Sequence, residues 1–135
     1  MSLDRKFNVI ENPMLLLVET DTHMRRSAAR MLQQRGFRIA IARNISEALE
    51  MIDDLRFIES GVDGLLVQYH LPDGLGCRIV QEFQREFPDV PTALVVEEDD
   101  ITMRLWTRAR GTALMQKTTL WNQLEPWLES VKVPA

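Results

Sequence analysis

The chain has one cysteine in 135 residues, so Cys77 forms no internal disulfide and the fold must rest on apolar packing. A lone cysteine also fits a reducing, cytoplasmic setting. Positive charge is not in excess: 16 Lys and Arg stand against 20 Asp and Glu, for a net charge of −4. That balance gives no global basic footprint for nucleic acid. Long apolar runs are missing too. The longest, Met14 to Val18, is far too short to span a membrane. The amino terminus lacks the basic-then-apolar pattern of a signal peptide. No internal repeat or low-complexity tract occurs. No glycine-rich phosphate loop follows the first apolar run, which counts against a dinucleotide site.

What is present is an ordinary globular composition, 45% hydrophobic and 27% charged. The length fits one domain. Residues 1–13 read as a poorly ordered lead-in, 14–131 as the domain and 132–135 as a tail. "MLLLV" (14–18), "RIAIA" (38–42), "VDGLLV" (62–67), "TALVV" (92–96) and "TALMQ" (112–116) read as strands. Between them lie helical stripes. The first has Met24, Ala28, Met31 and Leu32, closed by Gly36; the second has Ile45, Ala48, Leu49, Ile52 and Leu55, with Ser46 as N-cap. Ile79, Val80, Phe83 and Phe87 make the third, stopped by Pro88. The fourth follows the acidic loop Glu97 to Asp100 and sets Ile101, Leu105 and Ala109 on one side. Leu120, Leu124, Trp127, Leu128 and Val131 form the last, with Pro126 either kinking it or sitting in its first turn.

Five alternating strand–helix units call for an α/β fold, a parallel sheet with helices on both faces. Ligands and chemistry then gather beyond the carboxyl ends of the strands. Those ends carry Glu19, Thr20 and Asp21, then Gln68, then Val96 and Glu97, then Lys117.

With "LLLVETDTHMRR", "DGLLVQYHLPDGLG", "PTALVV" and "GTALMQK", the chain resembles a response-regulator receiver domain over about residues 14–131. The resemblance implies the CheY-like, flavodoxin-like doubly wound order 2-1-3-4-5. It also implies a bacterial, cytoplasmic protein of a two-component system. Members use two acids after strand one and an aspartate ending strand three to hold Mg²⁺. That aspartate takes a phosphoryl group as an acyl phosphate. A Thr or Ser after strand four and a Lys after strand five engage the phosphate.

Carried over by position, the acids fall on Glu19 and Thr20, with Asp21 one place further on. The acceptor falls on Gln68, whose carboxamide has no anionic oxygen to phosphorylate. The hydroxyl falls on Val96, the aromatic switch on Leu114 and the lysine on Lys117, with Thr118 where proline usually follows. Three separate steps of one mechanism are lost together. The expectation is therefore a pseudo-receiver: no enzyme, no cofactor, no catalytic or metal-binding residue, and signalling by protein–protein contact.

Gln68 could lock one state through hydrogen bonds to Glu19, Thr20 or Lys117, and a Lys117–Glu19 salt bridge could span the old pocket. Two alternatives remain. One is an active receiver using Mg²⁺ and a displaced acceptor such as Asp73 or His70; the other is a small-ligand sensor at the strand-end pocket. Cys77 opens a helix, which can lower a thiol pKa. The resemblance places a partner or homodimer face on the fourth helix, fifth strand and fifth helix. Met103, Arg104, Trp106, Arg108 and Trp121 are the candidates there. Direct nucleic-acid or membrane binding is not expected.

Overall fold

The computed structural model describes residues 12–59 and 61–132. The lead-in is therefore seen only from Asn12, and the tail beyond Lys132 lies outside the described residues. The strands of the main sheet are β1 (Met14–Val18), β2 (Arg38–Ala42), β3 (Gly64–Gln68), β6 (Thr92–Val96) and β7 (Ala113–Gln116). The helices are α1 (Thr22–Gln34), α2 (Ile45–Leu55), α3 (Cys77–Glu86), α4 (Ile101–Ala109) and α5 (Leu120–Lys132). Two short strands, β4 (His70–Leu71) and β5 (Gly74–Leu75), pair as an antiparallel hairpin across Pro72 and Asp73.

The sheet order is β2-β1-β3-β6-β7, with all four pairings parallel. This is the doubly wound order expected from the resemblance. β3 lies at the centre and all five of its residues are buried. A strand covered on both faces must be apolar throughout, which explains the unbroken "LLV" before Gln68.

Alternation along the strands splits the core in two. Leu16, Val18, Leu65, Val67, Leu94 and Val96 pack against α2, α3 and α4. Leu15, Leu17, Leu66, Ala93 and Val95 pack against α1 and α5. Phe83, fully buried on α3, is the largest side chain at zero exposure.

At the amino end of the sheet, Gln84 on α3 ties β6 to β7. Its Nε2 donates to the Arg110 carbonyl at 2.9 Å, to Thr112 Oγ1 at 3.2 Å and to Thr92 Oγ1 at 3.4 Å. Thr92 and Thr112 share a hydroxyl hydrogen bond of 2.8 Å. Thr112 itself lies just ahead of β7, so the observed strand begins one residue later than the expected 112–116.

Three local expectations change. Asn44, not Ser46, caps α2: its Oδ1 accepts from Glu47 N at 2.8 Å. Asn44-x-x-Glu47 is the spacing of a capping box, a signal outweighed by the serine two residues on. In α4 the Ile101–Leu105 side faces out, with these residues 59% and 57% exposed. Met103 and Thr107 face in. Thr107 is buried without loss because its hydroxyl donates to the Met103 carbonyl at 2.8 Å. Pro126 lies in the interior of α5, not in its first turn, because a 3₁₀ turn over Lys117–Thr119 leads directly into Leu120.

Candidate functional site

The loops after β1, β3, β6 and β7 meet at the carboxyl edge of the sheet. Glu19 follows β1 and is buried, on the same side of the sheet as Leu15 and Leu17. Its Oε2 accepts from Asp21 N at 3.1 Å. Burial pushes the Glu19 carboxyl up from its ordinary range, while the Asp21 N–H and the charge of Lys117 partly oppose that rise. Thr20 is exposed, and its carbonyl accepts from Arg25 at 3.1 Å. Asp21 is the N-cap of α1, its Oδ1 accepting from His23 N at 3.3 Å. The acid one place beyond the family's second position is thus committed to a helix end.

Gln68 is the last residue of β3, not the residue after it, and only 4% exposed. Strand alternation puts it on the α1–α5 side with Leu66. It lines a small cavity with Glu19, Met24, Leu66 and Leu120 that has about 10 Å³ of room, the scale of one water. Its carboxamide makes no hydrogen bond to any side chain among the described residues, so the expected bonds to Glu19, Thr20 or Lys117 do not form.

Gly76 seats the loop that follows. A Cβ there would stand 2.2 Å from the Gln68 carbonyl oxygen, a distance no side chain survives. The Gly76 N–H donates to the Tyr69 carbonyl at 2.6 Å and closes the turn.

Val96 points to the opposite face and packs in the α2–α4 core, and Leu114, opposite Leu94 in the sheet register, packs against the same core. Lys117 begins the 3₁₀ turn and pairs with Glu97 at 3.5 Å. No Lys117–Glu19 ion pair forms; Glu97, next to Val96 in the β6–α4 loop, holds the lysine instead.

Asp73 is not an idle turn residue. Oδ1 accepts from Ile45 N at 2.9 Å and Oδ2 from Ser46 N at 3.1 Å. It is a second cap on α2, supplied from the hairpin, and those N–H groups hold its carboxyl below the usual carboxylate range. His70 is exposed, its ring edge-on to Tyr69. Burial pushes the Cys77 thiol up, against the lowering that a helix start alone would give.

On α4, Met103 is buried at 8% exposure and is not a surface residue. The helix phase that Asp100 sets by capping Met103 N turns it inward. Arg104 and Arg108 are exposed, while Trp106 is half-buried under the Arg110 guanidinium. Trp121 is half-buried against α5's own core. Ile101 and Leu105 supply the exposed apolar surface that Met103 does not.

The family's metal can be tested against these donors. Mg²⁺ takes hard oxygen ligands in a near-octahedral shell. The edge offers one buried carboxylate, one neutral carboxamide, one hydroxyl and an aspartate spent on a cap. Among the described residues no group of three or more His, Cys, Asp or Glu could hold a metal ion. This donor set does not fit a resident Mg²⁺.

The sheet order, the strand-end loops and the chain itself agree on one class. Residues 15–117 match the response regulator receiver domain family, and the chain belongs to it. It is similar in fold to the non-phosphorylated HemR receiver domain from Leptospira biflexa, at 23% identity and a TM-score of 0.78, with 91% of this chain and 96% of that one covered. A CheY-like receiver domain protein from Methanospirillum hungatei JF-1 gives 20% identity and a TM-score of 0.72, covering 88% and 96%. A response regulator from Burkholderia pseudomallei, with a phosphorylated aspartic acid, calcium ion and citrate, gives 18% and 0.73, covering 90% and 68%. No curated protein matches the chain. Receiver domains belong to two-component signalling systems and work through other proteins. Among the described residues no helix is long and apolar enough to cross a membrane.

Proposed function

We propose that this domain is a pseudo-receiver of a bacterial, cytoplasmic two-component system, signalling by protein contact without taking a phosphoryl group. The observation that carries the reading is Gln68, buried at the end of the central strand where the family has its acceptor. A carboxamide has no anionic oxygen with which to attack a phosphoryl donor. Thr20 and Val96 support it, since the second acid and the phosphate-reading hydroxyl are gone as well. Asp73 counts against a displaced acceptor, because each of its oxygens already accepts a backbone N–H from α2. The cavity beside Gln68 is too small for a metabolite, which counts against a ligand sensor.

The decisive measurement is intact mass after incubation with acetyl phosphate and Mg²⁺. The expected result is no added phosphoryl group. A stoichiometric adduct sinks the reading, and peptide mapping then names the acceptor.

The partner face on this reading is α4, β7 and α5, presented through Ile101, Leu105, Arg104 and Arg108. Leu105→Glu is expected to abolish partner capture while leaving stability within about 0.5 kcal/mol, as for most surface changes. Unimpaired capture by a folded Leu105→Glu variant moves the interface elsewhere.

A further inference from the structure

The helices α1 and α2 lie on opposite faces of the sheet, since their buried residues belong to separate cores. Their charges are opposite and unmixed. α1 carries Arg25, Arg26 and Arg30 and no acid; α2 carries Glu47, Glu50, Asp53 and Asp54 and no base.

Both sets are placed against the helix dipole. Arg25 stands in the first turn of α1, which has no acidic residue, and Arg26 follows directly. Asp53 and Asp54 stand in the last turn of α2, which has no basic residue. Cations at an amino end and anions at a carboxyl end each cost helix stability. The like-charged pairs Arg26–Arg30 and Glu50–Asp54, each four apart, cost more.

Partners within the molecule relieve only part of this. Arg25 donates to the Thr20 carbonyl, Glu47 pairs with Arg43 at 2.7 Å and Asp53 with Arg56 at 2.6 Å. The side chains of Arg26, Arg30, Glu50 and Asp54 make no ion pair or hydrogen bond among the described residues, and all four residues are exposed. His23, Arg26 and Arg30 share one outward stripe of α1. Glu50, Asp53, Asp54 and Phe57 share one outward stripe running off the end of α2. Phe57 is 79% exposed, the most exposed of the large apolar side chains among the described residues. The chain's own Arg56 guanidinium stands over the Phe57 ring, 5.0 Å from its centroid, so a partner that brings arginine meets the ring's remaining face and its exposed apolar area.

The geometry points to a second copy of this chain as that partner: the basic stripe of α1 on one molecule docks on the acidic stripe of α2 on the next. The two stripes are different surfaces on opposite faces, so the contact is head-to-tail and propagates as a chain of molecules. It uses neither the strand-end site nor the α4–β7–α5 face, so it stands or falls apart from the pseudo-receiver reading.

Sedimentation velocity on the full chain tests it. Runs are compared at about 10 mM salt, where screening reaches roughly 30 Å, and at about 1 M, where it falls to about 3 Å. Wild type is expected to show a sedimentation coefficient that rises with concentration in low salt and a monomer in high salt. Two neutralised variants are then made, Arg26→Ala with Arg30→Ala, and Glu50→Ala with Asp54→Ala. Alanine favours the helix, so both are expected to keep the wild-type circular dichroism.

Each variant alone is expected to be monomeric in low salt. A one-to-one mixture is expected to form a dimer that does not extend, since only one complementary pair of faces remains. Phe57→Ala is expected to weaken the wild-type association. The inference is overturned by a wild type that stays monomeric in low salt, or by variants that associate as wild type does. A mixture that remains monomeric also overturns it. Saturable binding of an arginine-rich peptide to the α2 stripe of a monomeric wild type reassigns that face to another protein, with the same consequence.

Discussion

At the scale of single residues, the strand-end edge is governed by what burial allows. Glu19 is held below the surface, and burial outweighs the backbone N–H groups that favour its charged form, so its carboxyl stays protonated to a higher pH than in the unfolded chain. The folded state therefore binds more protons than the unfolded state across that window. Stability is largest below the unfolded value and falls as pH rises through the folded one. Thermal midpoints of wild type and Glu19→Gln, followed from pH 4 to pH 8, are expected to converge at the acid end; at neutral pH the variant is the more stable. Parallel curves would show that Glu19 is not desolvated as described.

Rebuilding the acid set reverses the picture. Gln68→Asp with Thr20→Asp gives three carboxylates with Glu19, the oxygen set that Mg²⁺ requires. Tryptophan fluorescence is expected to respond to Mg²⁺ saturably in that variant and not in the natural chain. A saturable response in the natural chain would contradict the donor test. The residue types at 20, 68 and 96 could be weighed against those the resemblance implies from the sequence alone, because each position stands at a strand end. The partners of Lys117 and Gln68 could not be read there. They depend on three-dimensional placement: Glu97 comes within 3.5 Å of the lysine, and the Gln68 carboxamide bonds to none of the side chains it was expected to meet.

At the scale of elements, the carboxyl-edge loops are fastened by caps. Asn44 caps α2 from its own chain end and Asp73 caps it from the β4–β5 hairpin. Asn44→Ala is expected to cost about 1 kcal/mol in denaturant unfolding, the usual worth of such a cap. Asp73→Ala is expected to speed hydrogen exchange at the Ile45 and Ser46 amides specifically, leaving the amides of α5 unchanged. Uniform acceleration across the domain would instead mean general destabilisation. The Asp73 contribution is present above the ordinary aspartate pKa and is lost as pH falls through its lowered folded value.

The regular elements could be read from the sequence because apolar runs of five and helical stripes are strong signals. β2 begins and ends where its alternation says. The inward side of α4 could not, because Thr107 carries the packing position and looks polar until its hydroxyl is seen to bond within its own helix. The four residues of the small hairpin were equally hidden, since two-residue strands have no period to detect.

At the scale of the whole molecule, one sheet separates two cores with different duties. The α2–α4 side holds Phe83, Val96 and Leu114; the α1–α5 side holds Leu66, Leu124 and the cavity beside Glu19. Phe83→Ala removes a fully buried ring and is expected to lower the unfolding free energy by about 3–5 kcal/mol, read from urea midpoints at constant slope. A loss below about 1 kcal/mol would show that the site collapses around the gap, as well-packed cores seldom do. The topology was legible as a whole because short connections between alternating strands and helices leave few arrangements. The charge separation between α1 and α2 was not, because it follows from which helix covers which face.

The Gln84–Thr92–Thr112 cluster sits at the far end of this sheet from the acceptor position. It fastens β6, β7 and α3 where the strands begin, while the small cavity beside Gln68 lies where the central strands end. The sheet is thus built like a blade set in a handle: pinned by side-chain hydrogen bonds at its root, with a water-sized gap left beside its tip.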